Sequence, residues 1–411
     1  MLDRIGPRFT RYEPLRHAGA LMLGLLSDLG RKNCWTIAER SGHATPDALQ
    51  HLLSRAVWDA DTVRDDLRGY VVEHLGDQDA VLVVDETGDL KKGVETVGVQ
   101  RQYTGTAGRI ENAQVAVYLA YAAPAGHALI DRALYLPKSW IEDPQRRDRA
   151  KIPTDTEFVT KPVLAADMIC AALDAGVPGS WVAADEVYGA DPTLRERLEG
   201  RGVGYVLGIG CNRRVTTADG TFRVDELAAR LPAQAWQRHS AGAGAKGQRW
   251  YSWALVALLE PGQGHRGALI RRNDTTGELA YFRCYSTEPA PLPTMVRVAG
   301  QRWKVEEAFQ ASKGLTGLDH HQVRRWTSWH RWVTLAMLAH AFLAVATAAE
   351  RDSTPAPAGL IELTVNEFRR LLEALLPPPL HATTAVWAWS QWRRRHQARA
   401  RATHHQRRQS P

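Results

Sequence analysis

The sequence predicts an α/β protein, a mixed sheet flanked by helices with further helical segments before and after it. Three observations carry this. Two short apolar runs, Ala80-Val81-Leu82-Val83-Val84 and Trp181-Val182-Ala183-Ala184, each end in an acid, Asp85 and Asp185, as strands buried on both faces would. A helical period occupies residues 158–175 between them. Strand-like stretches at 113–121 and 128–136, with Pro and Gly between them, add a meander before the strand and helix alternation begins, and 203–209 reads as another strand after it.

In chain order, residues 1–76 read as a helical N-terminal domain, with a first helix over 14–29. Two short helices follow, over Cys34 to Gly42 and from Thr45 onward; Thr45 serves as N-cap and Pro46 as the first helical residue. The pair fits a helix-turn-helix that would set its second helix against DNA, and equally a plain helical hairpin. Residues 77–210 hold the two strand-and-acid patterns. Residues 211–290 read as a β-rich insertion, with strands at 250–258, 267–271 and 279–285 separated by turn-rich pieces such as Ala241-Gly242-Ala243-Gly244. Residues 291–350 read as the second part of the sheet domain, with two helices over 294–349. In 351–411 a Pro/Ala linker over 353–359 precedes a helix opened by a capping box of Thr364 and Glu367. Residues 392–408, with seven arginines and no acid, read as a disordered basic arm.

Composition narrows the class. The 411 residues carry a formal net charge of +7, and the pI of about 9.3 favours polyanionic partners. Four cysteines lie far apart with no C-x-x-C pair, which excludes a cysteine-built zinc site and points to reduced thiols in the cytoplasm. The first residues lack the apolar core of a signal peptide. The longest apolar run, 333–349, holds His340 and reads as a buried helix, not a membrane span.

The acids suggest the chemistry. Two-metal phosphodiester chemistry needs a few carboxylates converging on one point, because hard Mg²⁺ prefers oxygen ligands. An acid at the carboxyl end of a buried strand is a rigid way to place one, although a turn former or helix cap has the same pattern. A third acid stands in Gln301-Arg302-Trp303-Lys304-Val305-Glu306-Glu307-Ala308-Phe309. On one helix Arg302, Glu306 and Lys313 would fall within roughly 40° of each other, and Glu307 would point away. That face can finish a metal site with Glu306 and reach flanking phosphates with Arg302 and Lys313, or it can be a solvated charged stripe. Lys91, Lys92, Arg101 and Arg109, in a Gly-rich stretch, are candidates to line a DNA channel, as is Arg324 beside Arg325. Trp326, Trp329 and Trp332 recur every three residues, as a core-facing stripe does. His320-His321 lacks a third ligand at suitable spacing.

Taken with these residues, the chain resembles an insertion-sequence transposase of the DDE superfamily. One branch of that superfamily has the signature Y-x2-R-x3-E-x6-K, which Arg302, Glu306 and Lys313 match and Ala299 breaks at the Tyr position. A nearer likeness is to the insertion-sequence family numbered seven hundred and one. It rests on Gly30-Arg31-Lys32-Asn33 with Trp35, Leu53-Ser54-Arg55-Ala56-Val57-Trp58-Asp59, Val84-Asp85-Glu86-Thr87-Gly88, Gln100-Arg101-Gln102-Tyr103, Ala184-Asp185-Glu186-Val187-Tyr188-Gly189, and Gly317-Leu318-Asp319 with Gln322-Val323-Arg324. The resemblance implies an RNase H-like core split by the β-rich insertion, with Asp85 on the first strand, Asp185 on the fourth and Glu306 on a later helix. It implies two Mg²⁺ ions, for which Mn²⁺ can substitute, held by Asp85, Asp185 and Glu306. It also implies DNA as partner, contacted by Arg302, Lys313, Lys91, Arg101 and Arg324, and a homo-oligomeric synaptic complex beside the nucleoid. The expected reaction is hydrolysis at the element's end, then attack of the freed 3′-OH on target DNA. Two other readings remain: a catalytically silent DNA-binding regulator derived from such an enzyme, and an RNase H-like nuclease without strand transfer.

Overall fold

A computed structural model describes residues 1–244, 247–375 and 382–409, and of residues 404–409 the backbone alone. The chain divides into two compact units, 67–310 and a second made of 1–66 with 311–411.

The 67–310 unit is built on one mixed sheet. Its strands are β1 (Val81–Leu90), β2 (Gln100–Thr104), β3 (Arg109–Ala123), β4 (Gly126–Leu134), β5 (Trp181–Ala184) and β6 (Gly204–Ile209). After a small hairpin of β7 (Arg214–Thr217) and β8 (Gly220–Arg223) come β9 (Gln237–Gly244), β10 (Gly247–Ala257), β11 (His265–Arg272) and β12 (Leu279–Ser286). Among the described residues the order is β2-β3-β1-β5-β6-β12-β11-β10-β9, with β4 paired to β3. The centre, β4-β3-β1-β5-β6, is RNase H-like: β3 runs antiparallel to β1 and β4, while β1, β5 and β6 run parallel. With the short β2 set aside, Asp85 belongs to the first core strand and Asp185 follows the fourth.

The apolar runs make these strands. Val81 to Val84, Val182 to Ala184 and Tyr205 to Leu207 are buried on both faces, as parallel strands require. The Lys161–Asp174 helix buries Ala165, Ile169 and Ala172, and Pro162 opens it where a missing N–H costs nothing.

Several expectations need correcting. Asp85 does not end its strand: β1 continues to Leu90 by pairing with β3 as far as Leu90↔Ala113. What ends at Val84↔Ala184 is the parallel ladder to β5. The strands of 211–290 extend the central sheet, since β12 pairs with β6 through Tyr281↔Ile209 to Tyr285↔Tyr205. Ala241 to Gly244 is the end of β9, not a separating turn.

In the other unit the Trp326–Ser353 helix is long and apolar enough to cross a membrane, yet 78% of its most apolar window is buried in the protein. Trp329 and Trp332 are 1% exposed, so the tryptophan stripe faces the core. Arg331 on this helix is buried and donates to the carbonyl oxygens of Leu52 (3.2 Å), Ala56 (2.7 Å) and Trp58 (2.6 Å). The two short helices are Cys34–Arg40, capped by the Asn33 side chain, and Asp47–Ser54, which begins one residue after Pro46. Three helices, not two, occupy 294–349: Leu292–Gln301, Trp303–Thr316 and Trp326–Ser353. The last of these runs to Ser353, so the linker is shorter than expected. The basic arm is helical within Thr383–Gln409. Its apolar start explains this: Trp389 is buried and donates to the His43 carbonyl (2.7 Å), Trp392 meets Trp35 edge-on (4.7 Å), and Arg393 pairs with Glu39 (2.5 Å). The side chains of 404–408 lie outside the described residues.

Candidate active site

The sheet register brings the two aspartates together. The parallel ladder between β1 and β5 closes at Val84↔Ala184, so the next residue on each strand, Asp85 and Asp185, leaves the core at the same level. There β5 stops and a short helix, Glu186–Gly189, begins. Asp185 is its N-cap and accepts from the Val187 amide (2.9 Å); Asp85 accepts from the Glu86 amide (2.7 Å). Two glycines press this turn onto β6. A Cβ on Gly189 would lie 1.9 Å from the Gly208 carbonyl oxygen, and one on Gly208 would lie 2.9 Å from the Glu186 nitrogen. Only a residue without a side chain lets the backbones approach so closely.

Glu306 faces the same cleft, about 1130 Å³, from the first turn of the Trp303–Thr316 helix. Arg302 stands between the acids, 2.9 Å from Glu306 and 3.7 Å from Asp85. It sits at the break between two helices and not within one, yet the four-residue spacing to Glu306 still brings the side chains together. Glu307 is not part of the cleft lining; it bonds Lys304 (2.8 Å) and lies 3.7 Å from His127. The cleft lining therefore takes in Glu306 and leaves out its neighbour.

The aspartates lie close together where burial penalises their charge. Burial, then the Asp185 and Glu86 charges, push the Asp85 carboxyl up to about 7, against the weaker pull of the Glu86 amide and Arg302. Burial and then Glu86 raise Asp185 as well. Glu86 is itself held between Lys161 Nζ (2.6 Å) and the Tyr188 hydroxyl (2.5 Å). Burial, followed by the Glu86 charge, keeps the Tyr188 phenol protonated far above its usual range, so it donates to Glu86. Such a pair of hard oxygen donors, poorly compensated by cations, fits a divalent ion. Among the described residues no three His, Cys, Asp or Glu side chains form a finished metal-binding cluster. Asp85 and Asp185 supply the adjacent pair, while Glu306 is engaged by Arg302.

The remaining candidates scatter. Lys91 lies 3.9 Å from Asp89 and is outside the cleft lining. Strand alternation puts Gln100 and Gln102 in the cleft and leaves Arg101 exposed, outside it. Lys313 and Arg324 belong to the other unit. There Arg324, with Arg325, Arg55, Gln50 and Trp35, lines a separate pocket of about 620 Å³. His320 accepts from the Lys32 amide (3.1 Å) and joins no metal cluster among the described residues. Sequence reasoning missed Lys161, Glu86 and Tyr188 as one network. The strand-and-acid motifs contained Glu86 and Tyr188, but Lys161 had no signal beyond its place at a helix start.

Comparison with known proteins bears on the family of the chain. A family model described as a DDE superfamily endonuclease matches residues 4–243, and one described as a transposase DDE domain matches residues 159–342. A curated relative from Microchaete diplosiphon, "Probable transposase for insertion sequence element IS701", is 30% identical over 198 residues, 47% of this chain and 49% of that protein. The chain thus matches about half the length of that relative. A cryo-EM structure of the piggyBac transposase synaptic complex with hairpin DNA aligns over 93% of this chain and 76% of its own, at 13% identity and a TM-score of 0.45. Since the first of these models covers more than half of the sequence, the chain belongs to the DDE superfamily of endonucleases.

Proposed function

We propose that this chain cuts DNA at the ends of its own element and joins the freed 3′-OH to target DNA, using Asp85, Asp185 and Glu306. The observation that carries the reading is the placement of Asp85 and Asp185 one residue past the close of one parallel ladder, inside the cleft that also holds Glu306. Asp85 and Asp185 would hold a divalent ion, Mg²⁺ or Mn²⁺, with Glu306 available as a further ligand. Such an ion supplies Lewis-acid stabilisation of the charge that builds on the phosphate. The protein's own part is positioning and charge. Arg302 presents a planar fork of donors suited to a phosphate oxygen, and it is already aimed between the acids. Glu86 and Tyr188 fix the ammonium of Lys161 at the cleft wall, where it adds a second cation near the incoming backbone. The basic balance of the chain favours DNA as partner, and pairing of two ends calls for more than one copy.

The test is strand cleavage of a duplex carrying the element's ends, with Mg²⁺, with Mn²⁺ and with EDTA. Ion-dependent nicks leaving 3′-OH ends, followed by joined products, are expected. Binding of the ends with no cleavage under any ion would replace the enzyme by a DNA-binding regulator; cleavage without joined products would leave a nuclease.

A further inference from the structure

Beside the acid cleft lies a smaller pocket, about 370 Å³, that has no part in the chemistry described above. That volume is an order of magnitude above a water's share of liquid, about 30 Å³. Four arginines line it: Arg195 from the Pro192–Glu199 helix, Arg213 and Arg214 from the turn into β7, and Arg283 from β12. Among the described residues its lining contains no acid. The two cavities share a wall. Ile209 lines both, and Cys211 of the acid cleft is followed directly by Asn212 and Arg213 of the pocket.

The arginines are fixed to different degrees. Arg195 is held by the carbonyl oxygens of Gly189 (2.7 Å) and Asp191 (3.3 Å), at the end of the Asp185 turn. Arg283 pairs with Glu260, but its Nε is buried and has no hydrogen-bond partner among the described residues. Arg214 is exposed and donates to the Thr221 carbonyl (3.2 Å). Arg213 is exposed, and among the described residues its guanidinium has no hydrogen-bond or ion-pair partner. Its backbone, by contrast, is pinned by bonds from Arg213 N to Gly210 O (3.1 Å) and from Val224 N to Arg213 O (2.8 Å). Like charges gathered at one place cost stability unless an anion joins them, and guanidinium forks match phosphate oxygens two at a time. Burial and the Arg283 charge lower the Arg195 pKa, as such crowding requires.

We infer that this pocket is a phosphate subsite, taking a backbone phosphate of the DNA strand whose neighbouring phosphodiester occupies the acid cleft. The inference rests on the transposase reading and deepens it. Phosphates recur on the order of every 3.4 Å of axis along one strand, so a strand lying in the acid cleft passes the shared wall within a few nucleotides. Arg213 and Arg214 supply the mobile forks, and Arg195 and Arg283 the fixed field behind them. The contact carries no sequence information, and it sets the register of the strand against Asp85 and Asp185.

The experiment measures binding of the full-length protein to a fluorescein-labelled 40-bp duplex as a function of KCl, in EDTA. The variants are Arg213→Gln/Arg214→Gln and a control, Arg197→Gln/Arg201→Gln. The control arginines are already paired with Asp167 (2.7 Å) and Asp174 (2.6 Å). Each neutralised phosphate contributes about 0.9 to the slope of log K against log salt. The pocket variant is therefore expected to lose about 1 to 2 from the wild-type slope, and the control to keep it. Equal slopes in wild type and pocket variant overturn the subsite and leave the transposase reading standing; equal losses in both variants reduce it to generic surface charge. A wild type that shows no salt-dependent binding removes the subsite and the DNA reading together. A parallel melt with inorganic phosphate separates the sources: stabilisation of wild type alone, with DNA slopes unchanged, makes the pocket a free-anion site and overturns the strand assignment. Should the double variant not fold, Arg213→Gln, whose side chain has no protein partner among the described residues, carries the same measurement with an expected loss of about 1.

Discussion

Replacing Asp85 by Asn should make the ion-free protein more stable, and more so the higher the pH. Asp85 is 15% exposed at its side chain and is driven up from 3.8 to about 7 by burial, Asp185 and Glu86. In the unfolded chain its carboxyl ionises at the ordinary value. Folding above that value then costs free energy, because the native state holds a proton that the unfolded state has released. The cost grows as pH rises from about 4 to about 7 and is constant above. Between pH 5 and pH 8 it increases by about two pH units' worth, on the order of 2–3 kcal/mol at 1.4 kcal/mol per unit. Asn has the same shape and no charge, so it escapes this loss and also relieves Asp185. Urea unfolding in EDTA at pH 5 and pH 8 reads the effect directly. The expected result is an Asp85→Asn protein that exceeds wild type by on the order of 2 kcal/mol more at pH 8 than at pH 5. A gain independent of pH, or no gain at pH 8, would refute the claim that the aspartates are a strained, charge-poor pair.

Three other outcomes follow from the same geometry. Mn²⁺ at millimolar concentration should raise the melting temperature of wild type at pH 8 and leave that of Asp85→Asn/Asp185→Asn nearly unchanged, since ligand binding stabilises only the state that binds. Gly189→Ala should cost about 1–3 kcal/mol in chemical denaturation, because its Cβ would meet the Gly208 carbonyl oxygen at 1.9 Å and the turn bearing Asp185 must move; an unchanged midpoint would show that the close approach is not needed. Arg331→Ala should cost about 2 kcal/mol or more by leaving the Ala56 and Trp58 carbonyls without their buried donor, while the Leu52 carbonyl keeps the Trp58 indole N–H (2.9 Å), and a loss below about 1 kcal/mol, read by tryptophan fluorescence, would mean that water replaces it.

The parts legible in the sequence were those with a local period. Val81 to Val84 and Trp181 to Ala184 read as buried strands because parallel strands are apolar on both faces, and the register of those runs placed the two acids. The end of β1 was not legible, since Glu86 to Leu90 are strand only through pairing with β3, a contact made across the chain. The extension of the sheet by β12, β11, β10 and β9 is likewise a matter of strand order, which no local pattern encodes. The Thr383–Gln409 helix was masked by its arginines; Trp389 and Trp392, buried or stacked at its start, were the overlooked signal. The four-residue spacing from Arg302 to Glu306 was legible, and the ion pair between them follows from that spacing. Lys161 could not be found so, because its partner Glu86 is 75 residues away.

The most direct measurement compares Glu306→Ala with Glu307→Ala in cleavage of a duplex bearing the element's ends, with Mn²⁺ present and DNA binding measured alongside. Both glutamates sit on one helix, but only Glu306 shares the cleft with Asp85 and Asp185. Loss of cleavage of at least 100-fold in Glu306→Ala (about 2.7 kcal/mol or more in the barrier), with binding retained and Glu307→Ala close to wild type, is the predicted result. Full activity in Glu306→Ala, or a dead Glu307→Ala that still binds DNA, would contradict the three-acid site.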